Sequence, residues 1–388
     1  MMITLTQAEA RKRLVTPEEM VSCPVAFVDC RLPGSHLKQN YSFIGPGVTQ
    51  SASQVVNIPE PHSFNIGAAA MPKGVTNNLH LHFTAEVFLI HEGSWKFRWG
   101  AAGEHEAVFS APTILTIPTW IFRGFTNVSP NETDGWVFTV LGGDNTGGII
   151  WHPSVLEAAQ ETGLYLGRDN KLIDTEAGAP TPERDQLMPA ISAEEMARLP
   201  QYTPQQMAQY AVTGEQRAWS SRALLDSCLP GHGGRLAPVI GYGVNQDRTS
   251  ITPIVRPHGF SVEWASLEND HQWGNHCCDQ TQVIMVFKGE LEVTFNRGGE
   301  AVTLRAPEKS VVSIPAHSWR HYRAINGDCE FTLTSAGDER TKIWWDDAIL
   351  TAAQEQGWCV DPDGWIAPWH LLPVTARRAG AALAHYPT

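Results

Sequence analysis

Two histidines and a glutamate stand close together in the run Gly74-Val-Thr-Asn-Asn-Leu-His80-Leu-His82-Phe-Thr-Ala-Glu86-Val-Phe-Leu-Ile-His-Glu-Gly93. Two imidazoles and one carboxylate make a ligand set for a divalent transition metal, with positions left open for substrate. The run alternates, so it reads as a β-strand. Side chains at even offsets share one face of a strand. His80, His82 and Glu86 are therefore expected to project together. The apolar neighbours Leu79, Leu81, Val87 and Leu89 argue for a buried face rather than a solvated strand.

What positions these residues is a duplicated unit. Pro61-His62-Ser-Phe64 returns as Pro257-His258-Gly-Phe260, and His80 and Gly93 return as His276 and Gly289, at a near-constant offset of about 196 residues. Trp95, Phe97 and Trp99 fall on Leu291, Val293 and Phe295, and Ile117-Pro118 on Ile314-Pro315. Trp151 to Gly163 matches Trp345 to Gly357, including the Ala-Ala-Gln-Glu run. A near-constant offset means one unit fused to its copy with small loop changes. Each unit reads as a short helix, a series of short strands and a closing helix stopped by Gly163 or Gly357. Thr16-Pro-Glu-Glu19 and Ser192-Ala-Glu-Glu195 carry capping-box signals for the leading helices. The expected division is 1–168 for the first unit, 169–204 for a Pro-, Asp- and Glu-rich linker, and 205–388 for the second. Short strands returning antiparallel predict an all-β fold with a few helices, a duplicated jelly roll able to enclose a ligand.

The run from Gly74 to Gly93 also resembles, at every fixed position, the first signature of the cupin family, G-x5-H-x-H-x3-E-x6-G. The whole chain resembles a bicupin of the RmlC-like cupin superfamily, intact in its first copy and degenerate in its second. That resemblance implies a double-stranded β-helix. It spans metal-dependent dioxygenases, oxalate decarboxylases, isomerases and storage or regulatory proteins, so it bears on fold more than on activity. The family's second signature, P-x-G-x2-H-x3-N, reads here Pro118-Thr-Trp120-Ile-Phe-Arg123-Gly-Phe-Thr-Asn127. Arg123 holds the place of the fourth ligand, and Arg320 does so in the second copy.

The second copy has diverged further. Cys278 stands where His82 stands and Gln282 where Glu86 stands, leaving His276. A second-unit ligand site would draw on His276, Gln282 and His321, the last only if a bulge re-aims it. Cys277 and Cys278 beside His276 read as small buried cysteines rather than a nucleophile. In the first copy, a guanidinium on the order of 4 Å from a bare divalent ion would cost roughly 8 kcal/mol at an effective dielectric near 20. Arg123 therefore turns aside, meets the metal through an anionic substrate held bidentately, or replaces the metal by pairing with Glu86. Trp95, Phe97 and Trp99 could line an aromatic pocket or form the core. His62 and His258, at equivalent positions, suggest a shared structural role.

Bulk composition excludes several classes. The net charge of −13, with no basic run, disfavours nucleic acid and anionic membrane. Hydrophobic residues at 42% and charged residues at 18% indicate a globular chain, and no stretch suits a transmembrane helix. Seven cysteines without a C-x-x-C, and a start without an apolar h-region, suggest reduced thiols and a cytoplasmic protein. The expectation is a metal-dependent enzyme, a homodimer, acting on a small, anionic molecule. Fe(II) is the expected metal, with Mn, Ni or Zn as alternatives. His80, His82 and Glu86 would be ligands and Arg123 the catalytic anchor of the substrate anion. The leading reaction is dioxygenation of a small aromatic or enol-type acid. The alternatives are a metal-assisted isomerase, lyase or decarboxylase, and a metal-free ligand binder.

Overall fold

Alternating apolar residues give strands throughout, and glycines at positive φ set the breaks between them. The computed structural model describes residues 2–387. They fall into two units, 20–216 and 2–19 with 217–387. The chain is all-β with a few short helices, a duplicated jelly roll. Among the described residues no helix is long and apolar enough to cross a membrane.

The unit 20–216 stacks two sheets. A seven-stranded sheet runs in the order Ala211–Thr213, Thr113–Ile117, Glu86–Glu92, Gly135–Gly142, Phe64–Met71, Gln39–Ile44 and Val56–Ile58. A five-stranded sheet has the order Ile149–Trp151, Thr76–His82, Arg123–Asn127, Ser94–Trp99 and His105–Ser110. Phe88, Ile90, Leu115 and Val137 from one sheet pack with Trp95, Phe97, Trp99 and Phe125 from the other. Trp95, Phe97 and Trp99 are wholly buried, so that strand face is core. Gly93, at φ +88, breaks Glu86–Glu92 from Ser94–Trp99; a Cβ there would come 2.5 Å from Ser129 Oγ. In the second unit the equivalent strand Gln282–Phe295 is continuous, and with Trp319–Ala336 it runs through a single nine-stranded sheet. The closing helices Pro153–Glu161 and Asp347–Glu355 end before Gly163 and Gly357, both at positive φ.

The leading segments depart from expectation. The opening helices are Gln7–Arg11 and Pro204–Ala208, with capping boxes from Thr6 with Glu9 and Thr203 with Gln206. Ser192 and Glu195 do cap a short helix, Ala193–Met196. Thr16 and Glu19 close only a 3-10 turn, because no helix-forming run follows them. The strand after each opening helix completes the sheet of the other repeat. Leu14–Val15 pairs with Val311–Ile314, and Ala211–Thr213 with Thr113–Ile117. Hence 1–168 is not a self-contained unit. The stretch 169–204 is not free linker either, since Leu172 and Met188 pack on the first unit and Trp99 Nε1 donates to Tyr202 O at 2.8 Å. Strand pairing at such separation leaves no trace in local periodicity.

Deleting residues 2–15 should destabilise the second unit and spare the first. Leu5, Leu14 and Val15 are buried there, and Asn296 brackets Leu5 through both its N–H and its C=O. Burying three such side chains is worth roughly 5 kcal/mol or more before ordering costs. Urea unfolding should shift to a lower midpoint while metal affinity in the first unit is unchanged.

Candidate metal centre

His80 and His82 end the strand Thr76–His82, between Ile149–Trp151 and Arg123–Asn127. Glu86 opens the strand Glu86–Glu92 in the facing sheet, between Thr113–Ile117 and Gly135–Gly142. The expected single strand is thus two, joined across the sheets by 83–85. The three side chains converge because the chain crosses between layers there, not because they share one strand face. Their ligand atoms all lie within 4.8 Å of one another, and all three residues are buried.

The buried setting selects the protonation states a metal needs. His80 Nδ1–H donates to Asn78 O at 2.7 Å, which leaves Nε2 with its lone pair. Burial, with help from His82 and Arg123, pushes His80 down to about 3, and burial lowers His82 as well. Burial alone would push Glu86 up, but its contact with His82 and the charged Arg123 guanidinium outweigh that and hold the carboxyl low. Two neutral imidazoles and an ionised carboxylate result, which is the state metal binding requires. His82 Nε2 lies 3.3 Å from Glu86 Oε1, yet neither His82 ring nitrogen nor Glu86 Oε2 has a hydrogen-bond partner. Buried polar atoms seldom go unpaired. Three ligand atoms this close together can take a divalent ion.

Arg123 sits opposite His80 in strand register and is wholly buried. Its Nη2 donates to Pro118 O at 2.7 Å and to Ile117 O at 3.3 Å. Nη1 is 3.7 Å from Glu86 Oε2, whereas His82 Nε2 faces Oε1. Burial pulls the guanidinium down to about 10, so it stays charged at neutral pH. Arg123 has turned toward backbone carbonyls and also faces Glu86.

Asp29 and Lys38 were not singled out in the sequence. Both are wholly buried and ion-paired. Lys38 Nζ also donates to Asn77 Oδ1 at 2.5 Å, and Asp29 Oδ2 accepts the backbone and side-chain N–H groups of Asn78, each at 3.1 Å. Asn77 Nδ2 lies 3.3 Å from His80 Nδ1. The pair therefore braces the strand end that aims His80. One signal was available: Asp29-Cys-Arg-Leu-Pro33 falls on Asp226-Ser-Cys-Leu-Pro230, and Asp226 Oδ2 likewise accepts the Gly274 N–H, at 2.7 Å. Lys38→Met should cost about 3–5 kcal/mol, because it strands a buried carboxylate. The double variant Asp29→Asn/Lys38→Met should recover much of that loss in chemical denaturation.

The ligands open on a pocket of about 70 Å³ whose walls include Asn40, Ser42, Val48, Gly67, Thr139 and Trp151. That is room for roughly five water-sized groups. Arg123 is not among the lining residues, nor are Trp95, Phe97 and Trp99.

The second unit brings fewer groups together. His276 Nδ1 meets Gly274 O at 2.8 Å, the same brace as His80. Burial pushes the Cys278 thiol up to about 12, and Gln282 Nε2 donates to Ser335 Oγ at 2.9 Å. His321 does not turn inward. The strand Trp319–Ala336 keeps regular register with Gln282–Phe295 through Arg320, His321 and Tyr322, so His321 faces away from Arg320. It meets Gln272 Oε1 at 2.8 Å instead. Among the described residues no convergent metal-ligating group includes His276, Cys278 or His321. His62 and His258 are matched structural pegs, each ring Nδ1 2.6 Å from a backbone carbonyl two residues back. All seven cysteines are free thiols.

No family model and no curated protein matches the chain. Solved structures do share its fold. An oxalate decarboxylase from Lactobacillus farciminis, in a formate complex, is 11% identical with a TM-score of 0.52, covering 87% of this chain and 89% of that one. A vicilin from Capsicum annuum is 10% identical with a TM-score of 0.52, covering 86% and 88%. Both are bicupins, so the fold is that of a bicupin.

Proposed function

We propose that the first unit is a metal-dependent enzyme for a small carboxylic acid, and that it acts as a decarboxylase, lyase or isomerase. The observation that carries this is the convergence of His80, His82 and Glu86, with unpaired buried donor atoms, on a small pocket. A bound divalent metal would supply Lewis-acid polarisation of a substrate oxygen. His80 and His82 would hold it through neutral imidazoles and Glu86 through a carboxylate kept ionised by Arg123. Arg123 then acts as a positioning residue rather than a contact to substrate. Phe125, Ile149 and Trp151 give the pocket an apolar wall. The room available suits a short acid better than a fused aromatic system. A shared fold with an oxalate decarboxylase is in keeping with this reading.

A second reading, Fe(II)-dependent dioxygenation, is favoured by one feature. A set of three ligands, with an arginine in place of a fourth, leaves positions for both acid and dioxygen. Metal analysis of the full chain, then reconstitution with Mn(II), Fe(II), Ni(II) or Zn(II), separates the two. Short mono- and dicarboxylic acids are offered, and carbon dioxide release and oxygen uptake are followed together. Metal-dependent turnover without stoichiometric oxygen uptake is expected. Stoichiometric uptake with iron would establish the dioxygenase. A chain that takes up none of the four metals would leave a metal-free binder.

A further inference from the structure

Gly67 and Glu263 occupy the same place in the two repeats. Gly67 lies in Phe64–Met71, paired with Ser42 and Thr139; Glu263 lies in Phe260–Leu267, paired with Pro238 and Leu333. Glu263 is wholly buried, and its Oε2 accepts the backbone N–H of Val244 at 2.7 Å. It presses against Gly243, where a Cβ would come 1.9 Å from Oε2.

The loops that face these positions are built alike. Gly45 and Gly47 sit at φ +63 and +61, and Gly241 and Gly243 at +64 and +51. Gln50 Oε1 accepts the Trp151 indole N–H at 3.3 Å, and Gln246 Oε1 that of Trp345 at 3.2 Å. Val48 is therefore the counterpart of Val244. Among the described residues, the Val48 N–H has no acceptor. In the first repeat the backbone donor is present and the carboxyl is missing. The space it would fill is part of the pocket, since Val48 and Gly67 line it together with His80, His82 and Glu86.

We infer that a carboxylate of the substrate takes, over Gly67, the place that the Glu263 carboxyl fills in the second repeat, and accepts the Val48 backbone N–H. The second repeat carries its own acid at this place. The first lacks it and admits one from solution. A carboxylate at Val48, with the remainder of the molecule reaching the ligands, describes a short acid bearing a second oxygen function. Such an acid would be a dicarboxylate, or a hydroxy or oxo acid. This deepens the reading of the first unit as an enzyme for a small acid, but the binding step needs no metal.

Propionate is the glutamate side chain as a free molecule, so it is the probe. Full-length protein labelled with 15N-valine is stripped of metal and titrated with propionate. The Val48 amide signal is identified by its loss in Val48→Ile. A saturable downfield shift of Val48, with Val244 unmoved, is expected. Gly67→Ala places a methyl in the subsite and should weaken binding at least tenfold. An added Cβ there meets Tyr41 O at 2.6 Å, so this variant could fail to fold. Glu263→Gly then carries the comparison, because it should open a second subsite where propionate shifts Val244 too. A Val48 signal indifferent to propionate overturns the inference, as does a Val244 signal indifferent in Glu263→Gly. Either result leaves the metal reading untouched, and a chain that binds no metal leaves the Val48 response untouched.

Discussion

The His82→Ala protein is expected to lose its tight divalent-metal site, with affinity falling by well over a hundredfold. Loss of an outer hydrogen-bonding partner alone costs roughly 10–100-fold, and His82 is a direct ligand. The wild-type chain should bind one metal, because among the described residues only the first unit brings two histidines and a carboxylate within 4.8 Å. His80→Ala should behave like His82→Ala. His276→Ala should leave the stoichiometry at one, since Cys278 and Gln282 stand where the other ligands would be. Titration calorimetry on metal-depleted protein, with elemental analysis after dialysis, reads this directly. Two equal sites, or one that survives both first-unit substitutions, would sink the assignment.

The second large effect is a dependence of stability on pH that comes from Glu263. Burial pushes its carboxyl up to about 8, against the pull of the Val244 and Asn245 N–H groups. Below its ordinary value of 4.5 the folded and unfolded chains both hold the proton, and the group adds no slope. Above that value the unfolded chain releases the proton and the folded chain keeps it, so stability falls as pH rises. The fall ends near pH 8, where the folded chain ionises too. Over the whole window it amounts to about 5 kcal/mol. Glu263→Gln keeps an acceptor for the Val244 N–H and carries no titrating proton. Its urea midpoint should match the parent near pH 4 and exceed it clearly at pH 8. Curves that run parallel across that range would show that Glu263 is not the source.

The duplication, the strand-rich architecture and the three candidate ligands were legible in residue spacing. Spacing reports what repeats along a chain, and a duplicated chain shows its units by self-comparison. The arginine in the fourth-ligand place was also plain, at Arg123 and again at Arg320. The closing helices and their glycine stops followed from local propensity, which needs no partner. The Thr16–Glu19 signal misplaced one opening helix, because such a signal can close a bare turn as well as a helix.

Other features required the folded chain. Glu86 joins the histidines from the opposite sheet, so the site is made by a crossing rather than by one strand face. Arg123 could have pointed three ways, and only the folded chain shows its Nη2 on the Pro118 carbonyl and its Nη1 facing Glu86. Asp29 and Lys38 are nine residues apart, and no local pattern pairs them. They matter because folding removes both from water beside His80. The exchange of opening strands between repeats is equally silent in the sequence, since two- and three-residue strands have no periodicity to read. Gly67 and Glu263 show the division most clearly. The substitution is visible in the aligned repeats, but only the Val244 N–H bonded to Glu263, and the pocket that Val48 and Gly67 line together, give it chemical meaning. Residue types and spacing determined which groups were available. Which of them meet, and in what charge state, depended on burial, because removing a polar group from water makes its few nearby partners decisive.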